Sequence, residues 1–176
     1  MSDAAVAPAG ASSLHVAGNG GKAADAVGGS LAEIISFAIG DDQYGVDIMA
    51  VHEIKEWSNV TQLPKQPDYV RGVLNLRGAM VPVLDLRCRF GEGVTEPTPT
   101  HIIIVVHIDG RLVGLLADRV LDIVSFEASK IQPVPRTAHG ETSDFLSGLV
   151  THDDTMIALI DLSKLLSLSE MTALAS

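Results

Sequence analysis

Gly72-Val73-Leu74-Asn75-Leu76-Arg77-Gly78-Ala79-Met80-Val81-Pro82-Val83-Leu84-Asp85-Leu86 returns, without a gap and at an offset of 76, as Gly148-Leu149-Val150-Thr151-His152-Asp153-Asp154-Thr155-Met156-Ile157-Ala158-Leu159-Ile160-Asp161-Leu162. Four positions are identical and five more exchange one aliphatic side chain for another. Upstream, residues 37–54 overlay residues 106–123 at an offset of 69, matching Ile39 with Ile108, Gly45 with Gly114, Val51 with Val120, Glu53 with Asp122 and Ile54 with Ile123. A seven-residue insertion between the blocks reconciles the two offsets. The chain therefore holds two copies of one small β unit, about 33–91 and 100–166, that pack together. Function should reside where the copies differ. The clearest difference is the turn, Asn75-Leu76-Arg77-Gly78 in one copy and Thr151-His152-Asp153-Asp154 in the other.

Outward from the repeat, the chain reads as short strands between Gly and Pro turns. Ile35, Phe37 and Ile39 alternate, Gly40-Asp41-Asp42 turns, and Tyr44, Val46 and Ile48 alternate, which predicts a hairpin with one buried face. Residues 73–76 and 80–84 form a hairpin about Arg77-Gly78, with Pro82 suggesting an edge strand or a bulge. Residues 85–90 read as a short helix stopped by Gly91. Residues 102–106 and 112–117 are unbroken apolar runs about Asp109-Gly110, the mark of strands covered on both faces. This hairpin is expected near the junction of the two units or lining an apolar groove. Residues 127–147 are loop-rich, and residues 163–172 predict a closing helix. Many short strands and little helix point to a mainly β protein of two small barrels.

Composition narrows the function. At 47% apolar and 4% aromatic residues the core is aliphatic. A net charge of −10 disfavours nucleic acid, whose phosphates need a basic surface. Residues 1–31, rich in Ala and Gly, lack the large side chains to offset their ordering entropy and are expected to be a disordered tail before a domain over 32–172. No secretory signal or membrane-spanning run is visible, so a cytoplasmic protein without direct membrane insertion is expected. The single cysteine, Cys88, forms no internal disulfide and reads as a packed, inert thiol.

Catalytic chemistry is missing. His15, His52, His101, His107, His139 and His152 form no metal-ligand spacing, and there is no nucleophile elbow or phosphate loop. Asp85 and Asp161 occupy equivalent places, each at the end of a strand entering a helical turn, where Asp is a favoured N-cap. Trp57 is either a binding anchor or the cover of a barrel end. No catalytic residue, metal or cofactor is expected.

Asp42-Gln43-Tyr44-Gly45-Val46-Asp47-Ile48, Val51-His52-Glu53-Ile54, Val70-Arg71-Gly72 through Gly78 and Val81-Pro82-Val83-Leu84-Asp85-Leu86 closely resemble CheW, the chemotaxis coupling family, and the likeness runs from about residue 33 to 170. The resemblance implies two SH3-like five-stranded β-barrels. It implies a non-enzymatic adaptor joining the histidine kinase CheA to the cytoplasmic tips of chemoreceptors (methyl-accepting chemotaxis proteins) in signalling arrays. Carried over by position, Glu53, Gly72 and Arg77 fall on sites linked to the kinase. Ile48, Val51 and Ile102 fall on an apolar groove linked to receptor tips. Ile48 and Val51, three apart, share a face only if that segment bends. Arg77, apolar-flanked at a hairpin tip, is expected to pair with Glu53 or to meet the kinase directly. Arg136-Thr137 stand where the family often has an acidic-aromatic pair for a second kinase contact. A coupler for surface motility or second-messenger control is the nearest alternative. A small-ligand-binding β-barrel is the alternative of a different class; it would need a pocket of converging polar groups.

Overall fold

The computed structural model describes residues 30–135 and 141–166. Residues 1–29 of the expected tail lie outside the described residues, as do Arg136, Thr137 and the expected closing helix from residue 167 onward. Ten strands run in order: β1 (Leu31–Ile39), β2 (Asp42–Asp47), β3 (Val51–Glu56), β4 (Val70–Leu76), β5 (Ala79–Asp85), β6 (Ile102–Ile108), β7 (Arg111–Ala117), β8 (Arg119–Glu127), β9 (Leu146–His152) and β10 (Thr155–Ile160). One helical turn follows each β4–β5-type hairpin, α1 (Leu86–Arg89) and α2 (Leu162–Leu165). The protein is mainly β, as two five-stranded sheets.

The repeat boundary is not the sheet boundary. One sheet has the order β8-β1-β2-β10-β9 and the other β3-β6-β7-β5-β4. Each thus takes a hairpin from one repeat and three strands from the other. The exchange is symmetric down to single residues. Parallel pairing sets Val83 against Gly114 in one sheet and Leu159 against Gly45 in the other. These glycines leave room that their neighbours fill: a Cβ on Gly45 would lie 2.5 Å from Ile34, and one on Gly114 would lie 2.8 Å from Ile103. Each sheet closes by one bridge past its outer strand, Thr61 with Val73 and Gln132 with Leu149.

Three cores follow from this topology. Leu74, Leu76, Val81, Val83, Ile103, Val105 and Leu116 fill the β3–β7 barrel, with Trp57 packed against them as a cover. Ile34, Val124, Val150, Ile157 and Leu159 fill the other. The third core lies between the barrels and takes Ile35, Phe37 and Ile39 from β1 and Ile104, Val106 and Ile108 from β6. β6 is therefore apolar on both faces because one face fills a barrel and the other fills the junction.

The β1 hairpin corrects the expectation of a single buried face. Ile34 to Ile39 are all buried. The alternation misleads because Ser36, 2% exposed, is an inward polar residue. β1 and β8 slip register between Ser36 and Phe37, and the Ser36 hydroxyl donates to Asp122 O and accepts from Asp122 N, each at 3.1 Å. A hydroxyl that heals a bulge reads, in sequence, like a solvent-facing one. Pro82 is a second correction. β5 lies between β4 and β7, not at an edge, and no bulge falls at Pro82. The ladder to β7 starts at Val83, so Pro82 stands just before it and its missing N–H is tolerated.

The equivalent aspartates cap both helical turns. Asp85 accepts from Cys88 N and Asp161 from Ser163 N. Gly91, at φ 82, ends α1, where Glu92 N donates to Arg87 O. No helix among the described residues is long and apolar enough to cross a membrane.

Candidate protein-binding surfaces

The β4–β5 hairpin projects the first surface. Arg77 (φ 51) and Gly78 (φ 91) both take left-handed backbone, as the two-residue turn that matches strand twist requires. Asn75 Oδ1 accepts from Gly78 N at 2.9 Å and holds the turn shut. Arginine in that conformation is strained by about 1 kcal/mol or more. Its side chain is 72% exposed, and Arg77 Nη2 donates to Glu53 Oε2. Glu53 follows a register slip between Val51 and Glu53 in β3. His52 Nε2 lies 3.7 Å from the same carboxylate oxygen, and its ring meets His107 edge-on at 5.3 Å. The equivalent turn in the other barrel holds Asp153 (φ 49) and Asp154 (φ 62). One hairpin tip thus presents a cation and its counterpart presents two anions.

Gly72 lies behind this tip rather than on it. Its φ is 145, and a Cβ there would stand 2.3 Å from Thr61 O, the carbonyl of the closing bridge. Gly72 is buried; its place is to let the barrel close at the Thr61–Val73 bridge.

The second surface surrounds a bend. Ile48–Ala50 forms one 3-10 turn, capped by Asp47, whose side chain accepts from Met49 N at 2.9 Å. The bend brings Ile48 and Val51 together, both half-buried against the junction core. Ile48 lines a groove of about 460 Å³ with Leu31, Met49, Phe126 and Ile131. Met49 is 86% exposed. Ile102 packs against the same core but stands apart from the pair. Val51 lies opposite Val106, whereas Ile102 lies opposite Glu56 at the other end of β6, about 13 Å along the strand.

Two exposed apolar pairs were not singled out by the sequence. Met80 and Met156 are 60% and 54% exposed, and Ile54 and Ile123 are 41% and 55% exposed. Each pair is matched by the repeat offsets, so both copies keep an apolar residue at the same place. Met80 stands three residues beyond Arg77, on the same hairpin.

Cys88 on α1 is half-buried. Burial pushes its thiol up, the Asp85 and Asp68 carboxylates add to this, and Arg71 opposes them. A group held in its thiol form is a poor nucleophile. Alkylation by iodoacetamide at pH 7.5 is expected to run slower than that of glutathione and to rise with pH past 9. A faster rate than glutathione would overturn this. No cluster of three or more metal-ligating side chains occurs among the described residues.

The architecture has close relatives. A family model described as CheW-like domain matches residues 33–170. The chain is 42% identical over 141 residues to the probable chemotaxis protein CheW of Rhizobium etli, covering 80% of this chain and 91% of that protein. It is 41% identical over 141 residues to the chemotaxis protein CheW of Rhizobium meliloti, with the same coverage. Among solved structures it resembles the scaffolding protein TtCheW of Thermoanaerobacter tengcongensis, with a TM-score of 0.73, 33% identity, 80% of this chain covered and 91% of that one. The chain belongs to the CheW-like family of chemotaxis scaffold proteins.

Proposed function

We propose that this chain is a non-enzymatic adaptor that couples the cytoplasmic tips of chemoreceptors to the histidine kinase CheA. The kinase-facing surface centres on Arg77 and Glu53, held in place by Gly72. The receptor-facing surface is the apolar groove lined by Ile48, with Val51 outside its lining on the junction core and Ile102 further along the same junction. The observation that carries the reading is the strained, exposed Arg77, fastened to Glu53 at the tip where the two repeats differ most. Asparagine or glycine would meet this turn's left-handed backbone with less strain than arginine. An exposed ion pair of this kind contributes at most about 1 kcal/mol to folding, so its placement is better explained by recognition.

Arg77→Asp separates these roles. Binding to a CheA regulatory-domain fragment, followed by calorimetry, is expected to weaken at least tenfold, about 1.4 kcal/mol. The melting temperature is expected to move by no more than about 3 °C, since the side chain is mostly exposed. Equal affinity of mutant and wild type would remove Arg77 from the kinase surface.

A further inference from the structure

The exchange of hairpins creates two equivalent seams between the barrels, and they are filled differently. In the first, Arg87 of α1 crosses the seam. Its Nη2 donates to Asp118 Oδ2 at 2.9 Å, and that oxygen also accepts from Gly40 N at 2.7 Å. The guanidinium lies against the β1–β2 turn, where a Cβ on Gly40 would stand 3.8 Å from both terminal nitrogens. His101 Nε2 approaches the other Asp118 oxygen at 3.4 Å. A cation thus holds α1, the β1–β2 turn and the start of β8 together.

The repeat offsets turn Arg87 into Ser163, Gly40 into Asp109 and Asp118 into Met49. Among the described residues the second seam therefore lacks the cation, loses the carboxylate that pairs with it, and gains another at Asp109. It is a groove of about 430 Å³ with Ile108, Ile160 and Leu162 in its wall and Asp47, Asp109 and Asp161 among its lining residues. Among the described residues no Lys or Arg lines it, and its one imidazole is His107; Lys164, with Nζ 3.9 Å from Asp161 Oδ2, is not among the lining residues. The seam shares Asp47, Ser147 and Ile160 with the apolar groove beside Ile48, so the two are continuous. The chain beyond Leu166 carries Glu170 and no basic residue, and the segment before Ser30 carries a single one, Lys22.

We propose that this second seam receives an arginine side chain from the receptor-tip helix that docks in the groove lined by Ile48, at the position equivalent to Arg87 but with Asp109 as its partner in place of a counterpart of Asp118. The inference rests on the reading of that groove as the receptor surface and adds the chemistry of its neighbour. An apolar wall with an acidic rim fits the stem and head of arginine together. The partner helix must then carry apolar residues at helical spacing, followed within one or two turns by arginine.

Ser163→Arg places a guanidinium at the position equivalent to Arg87 and occupies the second seam from within. In full-length protein, affinity for a chemoreceptor-tip fragment is expected to fall at least tenfold while CheA-fragment binding is kept. Ser163→Ala, which loses only the hydroxyl held at 2.6 Å by Asp161, is expected to stay within twofold. Asp109→Asn, at an exposed turn where folding is not at issue, is expected to weaken the fragment three- to tenfold and to flatten the salt dependence of binding. Substituting the fragment's arginines singly with glutamine should yield one variant that binds wild type and Asp109→Asn equally. Fragment binding that survives both Ser163→Arg and Asp109→Asn overturns the seam and leaves the groove standing. Loss with Ser163→Ala as large as with Ser163→Arg also overturns it. Tighter fragment binding on Lys22→Gln would assign the seam to the chain's own tail instead. Failure of the wild-type chain to bind the fragment overturns both the seam and the adaptor reading.

Discussion

Asp85→Ala is expected to destabilise the protein by about 4 kcal/mol, and Asp161→Ala by only about 1 kcal/mol, although the two residues hold the same place in the repeat. Both cap a helical turn, but their second oxygens differ. Asp85 is fully buried and accepts from Thr95 N and Thr95 Oγ1, each at 2.6 Å. It thereby ties the connection between the repeats to the end of β5. Alanine would leave two buried donors without a partner, each costing about 1–3 kcal/mol, beside the lost cap. Asp161 is half-buried, and its contacts are to its own turn, Ser163 N at 3.1 Å and Ser163 Oγ at 2.6 Å. Water can replace them. In thermal melts the first variant is expected to fall by roughly 12 °C and the second by roughly 3 °C, at about 3 °C per kcal/mol for a chain of this size. Equal shifts would mean that Asp85 acts only as a cap.

Gly72→Ala and Gly148→Ala form a second unequal pair. At Gly72 the new Cβ meets a backbone carbonyl, Thr61 O at 2.3 Å, with φ at 145. Neither the strained backbone nor the bridge can yield cheaply, so a loss of about 3 kcal/mol is expected. At Gly148 the nearest atom is Ile131 Cγ2 at 2.5 Å, the branch methyl of an exposed side chain, with Gln132 O at 3.0 Å. Rotation of Ile131 relieves most of that clash, and about 1 kcal/mol is expected. Urea unfolding of both variants checks the difference. It also decides how Gly72 serves the kinase surface. A Gly72→Ala variant that keeps wild-type stability but loses CheA-fragment binding would make Gly72 a direct contact instead of a hinge of barrel closure.

The repeat made most of the architecture legible. Both hairpin turns, both capping aspartates and the doubly apolar β6–β7 hairpin follow from the two offsets and the residue types. What remained hidden depends on partners distant in sequence. Nothing in Ser36 announces that it heals a bulge with Asp122, and nothing in Pro82 shows that its missing donor falls just before a ladder. The exchange of hairpins was equally silent, because a strand's own residues record that it is buried and not which neighbour buries it. For the binding surfaces, the bend at Ile48–Ala50 could be inferred from a spacing of three. The separation of Ile102 from Val51 required the register of β3 against β6. Exposed Met49 and Met80 were missed because methionine reads as core filler unless its strand's orientation is known.

The hairpin exchange has a consequence for how the chain comes into being. As a ribosome delivers it from the N-terminus, β1 and β2 emerge first, yet β8, β9 and β10 are made last. The outer face of the hairpin must remain unpartnered through most of synthesis, with Ile34 lacking Val124, Val150, Ile157 and Leu159, which bury it. Folding should then be governed by long-range closure late in translation, a slow route that exposes apolar surface to aggregation. The same interlock also prevents either half from loosening alone. A loss of order in either barrel removes a hairpin's neighbours from the other, so the two proposed binding surfaces share a single melting event.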